Sequence, residues 1–101
     1  MSRREELHEI FCDLLGSRNV YFQPPSTVKM TYPCIIYNRN TRNENRADDL
    51  LYNFMEGYTV TVVDRNPDSL IPGKVAQLPL CSFDRFYTAD NLNHDVYTIY
   101  Y

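Results

Sequence analysis

The fold is decided by the stretch Tyr58-Thr59-Val60-Thr61-Val62-Val63-Asp64, which follows Gly57 and precedes the turn Asn66-Pro67-Asp68-Ser69. Its β-branched residues, bounded by turn-forming residues, predict a strand. Because side chains alternate along a strand, the even-numbered residues from Tyr58 to Val62 share one face, and the largely Thr odd-numbered residues share the other. One apolar face and one Thr-rich face predict a central strand whose sheet has helices on one side only.

A helix is predicted before this strand, near the N-terminus. Ser2-Arg3-Arg4-Glu5 fits the capping box, in which the Ser and Glu side chains bond each other's free backbone amides. An apolar stripe at helical spacing follows, and Gly16 is placed to end the helix. The stripe consists of Leu7, Ile10, Phe11, Leu14 and Leu15.

Further strands are predicted on both sides of the central one. Val20–Phe22 and Cys34–Asn38 are short strands that we expect to pair as a hairpin with a long connection. A short helix is expected from Asp68-Ser69 to Pro79, with Ile71, Val75 and Leu78 on one stripe. Residues 81–87 and 94–101 then form two strands joined by a turn.

This order predicts a single domain over residues 1–101 in the α+β class. We expect a mostly antiparallel sheet of four to five strands, with the N-terminal helix and the second short helix packed on one face.

Residues 39–56 differ in composition from the rest of the chain. Arg39–Asp49 is polar with charges of both signs, whereas Leu50–Met55 is apolar enough to need burial. A connection of this length is unusual in a small domain unless it has a function. Two interpretations remain open: an arm or extended hairpin that docks on a neighbour, or a loop folded back on its own domain.

Composition narrows the possible functions. The chain has 101 residues, a net charge of −3, nine Tyr and five Phe. A net negative charge argues against autonomous nucleic-acid binding, although DNA could pass through an acidic channel without sticking. Most of the Tyr residues are expected to be half-buried in strands, but nine in so short a chain also favour a protein–protein surface. The sequence has no apolar run long enough for a membrane span and no signal-peptide pattern, so we expect a soluble, intracellular protein without membrane contact.

The sequence gives little support for catalysis or metal binding. Cys12, Cys34 and Cys81 lack the paired spacing of zinc ligands and are expected to be small buried residues. His94 and Asp95 would face opposite sides of a strand, so they could not act together with Cys81 or Ser82 as a nucleophile and base. We therefore predict no enzyme activity, no catalytic residues, no metal and no cofactor.

Two adjacent charge pairs have a more plausible structural role. Asp64-Arg65 and Asp84-Arg85 are expected to set strand register or to bridge subunits.

Several short phrases of the sequence resemble one protein family. They are Tyr32–Tyr37, Tyr58–Ser69, Lys74–Pro79, Cys81–Arg85 and Asp90–Tyr97. Over about residues 20–101 the chain resembles the small tail-completion proteins of long-tailed bacteriophages, also called tail terminator or head–tail joining proteins.

The resemblance implies an α+β protomer that assembles into a hexameric ring. Such a ring caps the tail tube, ends tail elongation and offers a surface to the neck. The implied partners are other copies of the chain, the tail tube protein and the head–tail connector or neck protein. DNA would pass through the lumen without specific binding, and the protein would be made in the host bacterial cytoplasm and end in the virion at the tail–neck junction.

Under this resemblance, residues 39–56 and the aromatic end of the chain are expected to contact neighbouring subunits or the tube. The candidate contact residues are Arg42, Arg46, Asp48, Asp49, Leu51, Tyr52, Phe54, Arg85, Tyr100 and Tyr101. Two alternatives remain open. One is a neck adaptor or head-closure protein on the portal side, and the more distant one is a small intracellular enzyme or binding module.

Overall fold

The structure is a computed structural model that describes residues 1–40 and 55–101. Over these residues it has an N-terminal helix, a short second helix and a five-stranded, mostly antiparallel sheet, which confirms the predicted α+β class. In chain order the elements are α1 (Arg3–Leu15), β1 (Val20–Phe22), β2 (Cys34–Arg39), β3 (Gly57–Asp64), α2 (Ile71–Ala76), β4 (Cys81–Ala89) and β5 (Leu92–Tyr100).

The stretch that predicted the central strand forms β3. The strand order is β1-β2-β3-β5-β4, and β3 is antiparallel to both of its neighbours. Tyr58, Val60 and Val62 are at most 3% exposed, which confirms that they share the core face. On the opposite face Thr59 and Thr61 are half-buried, but Val63 is also buried.

The predicted hairpin between the first two strands is wrong, because β1 and β2 are parallel. Val20 lies opposite Ile35 and Phe22 lies opposite Tyr37. Residues 23–33 carry the chain back along the sheet, a length close to what a parallel crossover needs. Gln23 begins this return with a positive φ of 45°, and its backbone N–H donates to the Tyr37 carbonyl at 3.0 Å.

The helix α1 starts and stops as its sequence predicts. The Ser2 hydroxyl accepts from the Glu5 backbone N–H, and the Glu5 carboxylate accepts from the Ser2 backbone N–H. Gly16 ends the helix with φ 81°, a conformation that favours glycine. Leu7 and Phe11 are fully buried against the sheet, while the other stripe residues lie half-buried at its border.

The helix α2 packs on the same side of the sheet as α1. Val75 is fully buried in the core cluster that also contains Phe11 and Val60. The Tyr97 hydroxyl donates to the Pro72 carbonyl at 3.0 Å and fixes the start of α2 over β5. Both helices therefore cover one face, and the strand β4 lies at the outer edge beside them.

Candidate assembly edge

The strand β4 is the most exposed element of the sheet. Among residues 1–40 and 55–101 it pairs only with β5, and every residue of β4 after Cys81 is exposed. Phe83 is 59%, Phe86 54% and Tyr87 41% exposed. Large apolar residues gathered on one edge mark a contact surface more often than a single exposed Leu or Phe does.

A β-bulge aligns the two Phe side chains of β4. Phe83 lies opposite Tyr97 and Phe86 lies opposite Asp95, and the register shifts between Phe83 and Arg85. Tyr97 and Asp95 are two residues apart and share a face, so Phe83 and Phe86 share that face too. Without the extra residue Asp84, two residues three positions apart would point to opposite sides.

The opposite face of the edge carries stacked polar and aromatic groups. The Tyr87 ring stacks on the His94 ring, with centroids 4.5 Å apart and planes at 12°. The Arg85 guanidinium lies 5.8 Å from the Tyr87 ring centroid and 3.8 Å from the Asp84 carboxylate. An ion pair at the surface contributes little to the stability of the fold, so both charged groups can interact with a binding partner.

Three of the predicted contact residues lie in the described part of the chain, and the other seven do not. Arg85 is exposed on β4, whereas Tyr100 is only 8% exposed inside the sheet and Tyr101 is half-buried. The Arg3 guanidinium lies 4.6 Å from the Tyr101 ring centroid, and Arg3 Nε donates to the Tyr101 carbonyl at 3.3 Å. The remaining candidates, Arg42, Arg46, Asp48, Asp49, Leu51, Tyr52 and Phe54, lie outside the described residues.

Sequence reasoning missed Phe83 and Phe86 as surface residues. The sequence predicts a strand over residues 81–87 without indicating whether these two side chains face solvent. The signal that could have found them is the symmetric run Phe83-Asp84-Arg85-Phe86, which is apolar at both ends and carries opposite charges in the middle.

An apolar cavity of about 200 Å³ lies at the end of the sheet where β5 ends. Its walls include Leu7 and Ile10 of α1, Leu78 after α2, and Met55. Arg3 and Tyr101 border it, so their cation–π contact forms part of the rim.

A polar cluster joins α1 to the sheet at Tyr37. The Tyr37 hydroxyl lies 2.7 Å from His8 Nδ1 and accepts from the Arg4 guanidinium at 3.1 Å. Arg4 can only donate, so the Tyr37 hydroxyl keeps its own proton for another acceptor, and His8 Nδ1 is that acceptor when the neutral ring carries its proton on Nε2. Burial first, and then Arg4 and Arg18, lower the pKa of His8, while burial raises the pKa of Tyr37. The cluster is suited to holding the helix on the sheet.

The structure does not assemble the catalytic groups considered from the sequence. His94 lies opposite Val63 and Asp95 opposite Val62, so the two side chains point to opposite faces. Cys81 lies opposite Ile99, near the other end of β5. Burial raises the pKa of the Cys34 and Cys81 thiols to about 11, which keeps both protonated at neutral pH. Among residues 1–40 and 55–101, no group of three His, Cys, Asp or Glu residues is arranged to hold a metal ion.

No protein-family model, curated protein or solved structure matches this chain. Within the described part of the chain, neither helix is long and apolar enough to cross a membrane.

Proposed function

We propose that this chain is a structural virion protein that forms a ring, hexameric by its sequence resemblance, on the tail tube of a long-tailed bacteriophage. The ring would end tail elongation and provide the surface for head or neck attachment. One observation carries the proposal beyond the sequence resemblance: the two ends of the sheet differ in the segments that they carry.

One end carries the connection between β2 and β3. The Asn40 backbone N–H donates to the Gly57 carbonyl at 2.8 Å, so the chain leaves and re-enters the sheet at the same place. Tyr100 lies opposite Gly57 at this end, and the Tyr101 backbone N–H donates to the Glu56 carbonyl at 2.9 Å. The described residues at this end are therefore the aromatic end of the chain and the two points at which the β2–β3 connection joins the sheet.

The other end carries tight turns rich in Asp and Asn. The β4–β5 turn consists of Asp90 and Asn91, whose φ values of 54° and 61° suit a two-residue hairpin. Asn93 lies opposite Asp64, and its side-chain amide donates to the Asp64 carbonyl at 3.1 Å. This end thus groups acidic and amide side chains on short, well-bonded loops.

A cap needs two unlike faces on one ring. One face must bind the growing end of the tube better than the next tube subunit does, and the other must refuse tube protein and accept the connector or neck protein. Head-to-tail contacts that close on themselves put the same end of every protomer on the same face of the ring. A protomer with two chemically different ends supplies both faces in this way.

The charge of the chain fits the proposed place in the virion. Its net charge of −3 suits a lumen through which DNA passes without specific binding. The exposed aromatic residues of β4 fit a protein that works inside an assembly. The protein would be made in the bacterial cytoplasm and would end at the tail–neck junction.

Electron microscopy of particles from a phage that lacks this gene tests the proposal. We expect overlong tails without heads, and normal virions when the intact gene is supplied in trans. Filled heads beside unjoined tails of normal length would reject a terminator and indicate the neck adaptor instead. Intact virions from the deletion would reject both.

A further inference from the structure

We propose that β4 is a self-complementary edge that pairs antiparallel with β4 of a second copy, so that the free protein is a two-fold symmetric dimer. The axis passes between Asp84 and Arg85. The inference goes beyond the proposed function and does not depend on it, because head-to-tail ring contacts use two different surfaces, whereas this contact uses one surface twice.

The sequence of β4 is complementary to itself about that axis. In antiparallel pairing centred between residues 84 and 85, Asp84 lies opposite Arg85 of the second copy, and Arg85 opposite its Asp84. One step further out, Phe83 lies opposite Phe86 of the second copy. Two opposite-charge pairs are thus flanked by two aromatic pairs, the cross-strand combinations that stabilise sheets.

The geometry of the bulge permits this pairing. Residues that lie opposite each other across two strands place their side chains on the same face of the sheet. Phe83 and Phe86 share a face only because Asp84 is the extra residue of the bulge. The Phe86 ring of one copy can then cover the exposed Phe83 ring of the other on the helix-covered side.

The side chains of Asp84 and Arg85 are accessible for ion pairs with a second copy. The Arg85 side chain is 65% and the Asp84 side chain 32% exposed, and their separation of 3.8 Å is long for a hydrogen-bonded ion pair. In the dimer each charged side chain lies opposite the oppositely charged one of the facing strand and also stays next to its partner within the same chain. Four alternating charges then lie around the two-fold axis.

The backbone of β4 offers the longer edge of the sheet. The strand has nine residues and spans roughly 30 Å, whereas β1 at the opposite edge has three. Every second residue of an edge strand directs its N–H and C=O outward. Long exposed edges with apolar side chains pair with other strands unless charge or shape prevents it, and the charges of β4 attract a second copy.

Charge reversal on the intact chain tests the pairing. Sedimentation equilibrium over a wide concentration range would compare the wild type with Asp84→Arg, Arg85→Asp and the double variant that carries both changes. Each single change places like charges opposite each other at two symmetric positions, so we expect the dimer Kd to rise about tenfold or more. The double variant restores both ion pairs with their signs exchanged and should return to within about threefold of the wild type.

Circular dichroism of the same variants checks that each remains folded, which we expect because both side chains lie on the surface. A wild type that stays monomeric at the highest concentration would overturn the proposal. So would a double variant that dimerises no better than the single ones. Either result would leave the tail phenotype of the gene deletion untouched, and a failed deletion phenotype would leave the dimer measurement untouched.

Discussion

The two strands of the β4–β5 hairpin have nine residues each but opposite roles in the molecule. Both carry several aromatic residues and an adjacent pair of titratable groups, Asp84-Arg85 in β4 and His94-Asp95 in β5. Yet Val96 and Ile99 of β5 are 1% exposed, whereas Phe83 and Phe86 of β4 are more than half exposed. The difference lies in the neighbouring strands, because in the part of the chain that the structure describes β5 has a strand on each side and β4 has one.

Burial in this sheet therefore follows position more than composition. The apolar side chains of β3 and β5 are buried in the core, where they stabilise the fold. The strand β4 keeps its Phe side chains in contact with solvent, where they are free to contribute to binding. Changes in the two regions should separate stability from association.

The largest expected effect comes from a charge in the core. Val62→Asp buries a carboxylate at a position that is 1% exposed, which costs several kcal/mol and should unfold the domain. Phe86→Asp on the edge is the matched control and should leave the far-UV circular dichroism spectrum unchanged. A cooperatively folded Val62→Asp variant would contradict the assignment of β3 to the core.

A smaller loss is expected from truncating the helix side of the core. Phe11 is fully buried and meets the Tyr37 ring edge-on, with centroids 5.2 Å apart. Phe11→Ala should lower the free energy of unfolding by about 3–5 kcal/mol in urea titrations. Phe86→Ala should change it by less than about 0.5 kcal/mol. Equal losses of unfolding free energy in Phe11→Ala and Phe86→Ala would contradict the assignment of Phe11 to the core and Phe86 to the exposed edge.

The capping box should contribute about 1 kcal/mol to the free energy of unfolding. Ser2→Ala removes the hydroxyl that accepts from the Glu5 backbone N–H at 3.1 Å. Thermal unfolding should show a lower Tm, and Ser2→Asp should restore most of it because Asp also caps helices. If Ser2→Ala has no effect, α1 is held by packing alone.

The smallest expected effect is a dependence of stability on pH through His8. Its pKa is lowered from 6.5 by burial and by Arg4 and Arg18, against a small opposing effect of Glu9. The unfolded chain therefore takes up the proton first, and stability present above about pH 6.5 is lost as the pH falls through the lower folded-state pKa.

Urea unfolding between pH 7.5 and 5 measures this slope, and His8→Gln is the matched control. Gln cannot titrate but can still accept from the Tyr37 hydroxyl, so the slope in this window should be shallower in the variant. An unchanged slope would mean that His8 does not carry it.

The sequence was informative wherever local chemistry decides the structure. The capping box at Ser2, the glycine stop at Gly16 and the alternation of β3 were all readable, because each depends on a few adjacent residues. The direction of β1 was not readable. Two short apolar strands can pair in either direction, and the path of residues 23–33 makes this pair parallel.

The edge was hidden for a similar reason. The run Phe83-Asp84-Arg85-Phe86 does not by itself show whether one or two strands will flank it. The bulge that aligns Phe83 with Phe86 is likewise set by pairing with β5, which lies outside the local pattern. The proposed contact surface thus emerges only when the register of the hairpin is known.

Hydrogen–deuterium exchange of the intact protein at low and high concentration tests most directly the claim that β3 and β5 are core and β4 is a contact edge. We predict that the backbone amides of β4 that point away from β5 exchange quickly in dilute protein and slow markedly as the concentration rises. Amides of β3 should exchange equally slowly at both concentrations. Exchange in β4 that is independent of concentration would contradict the account.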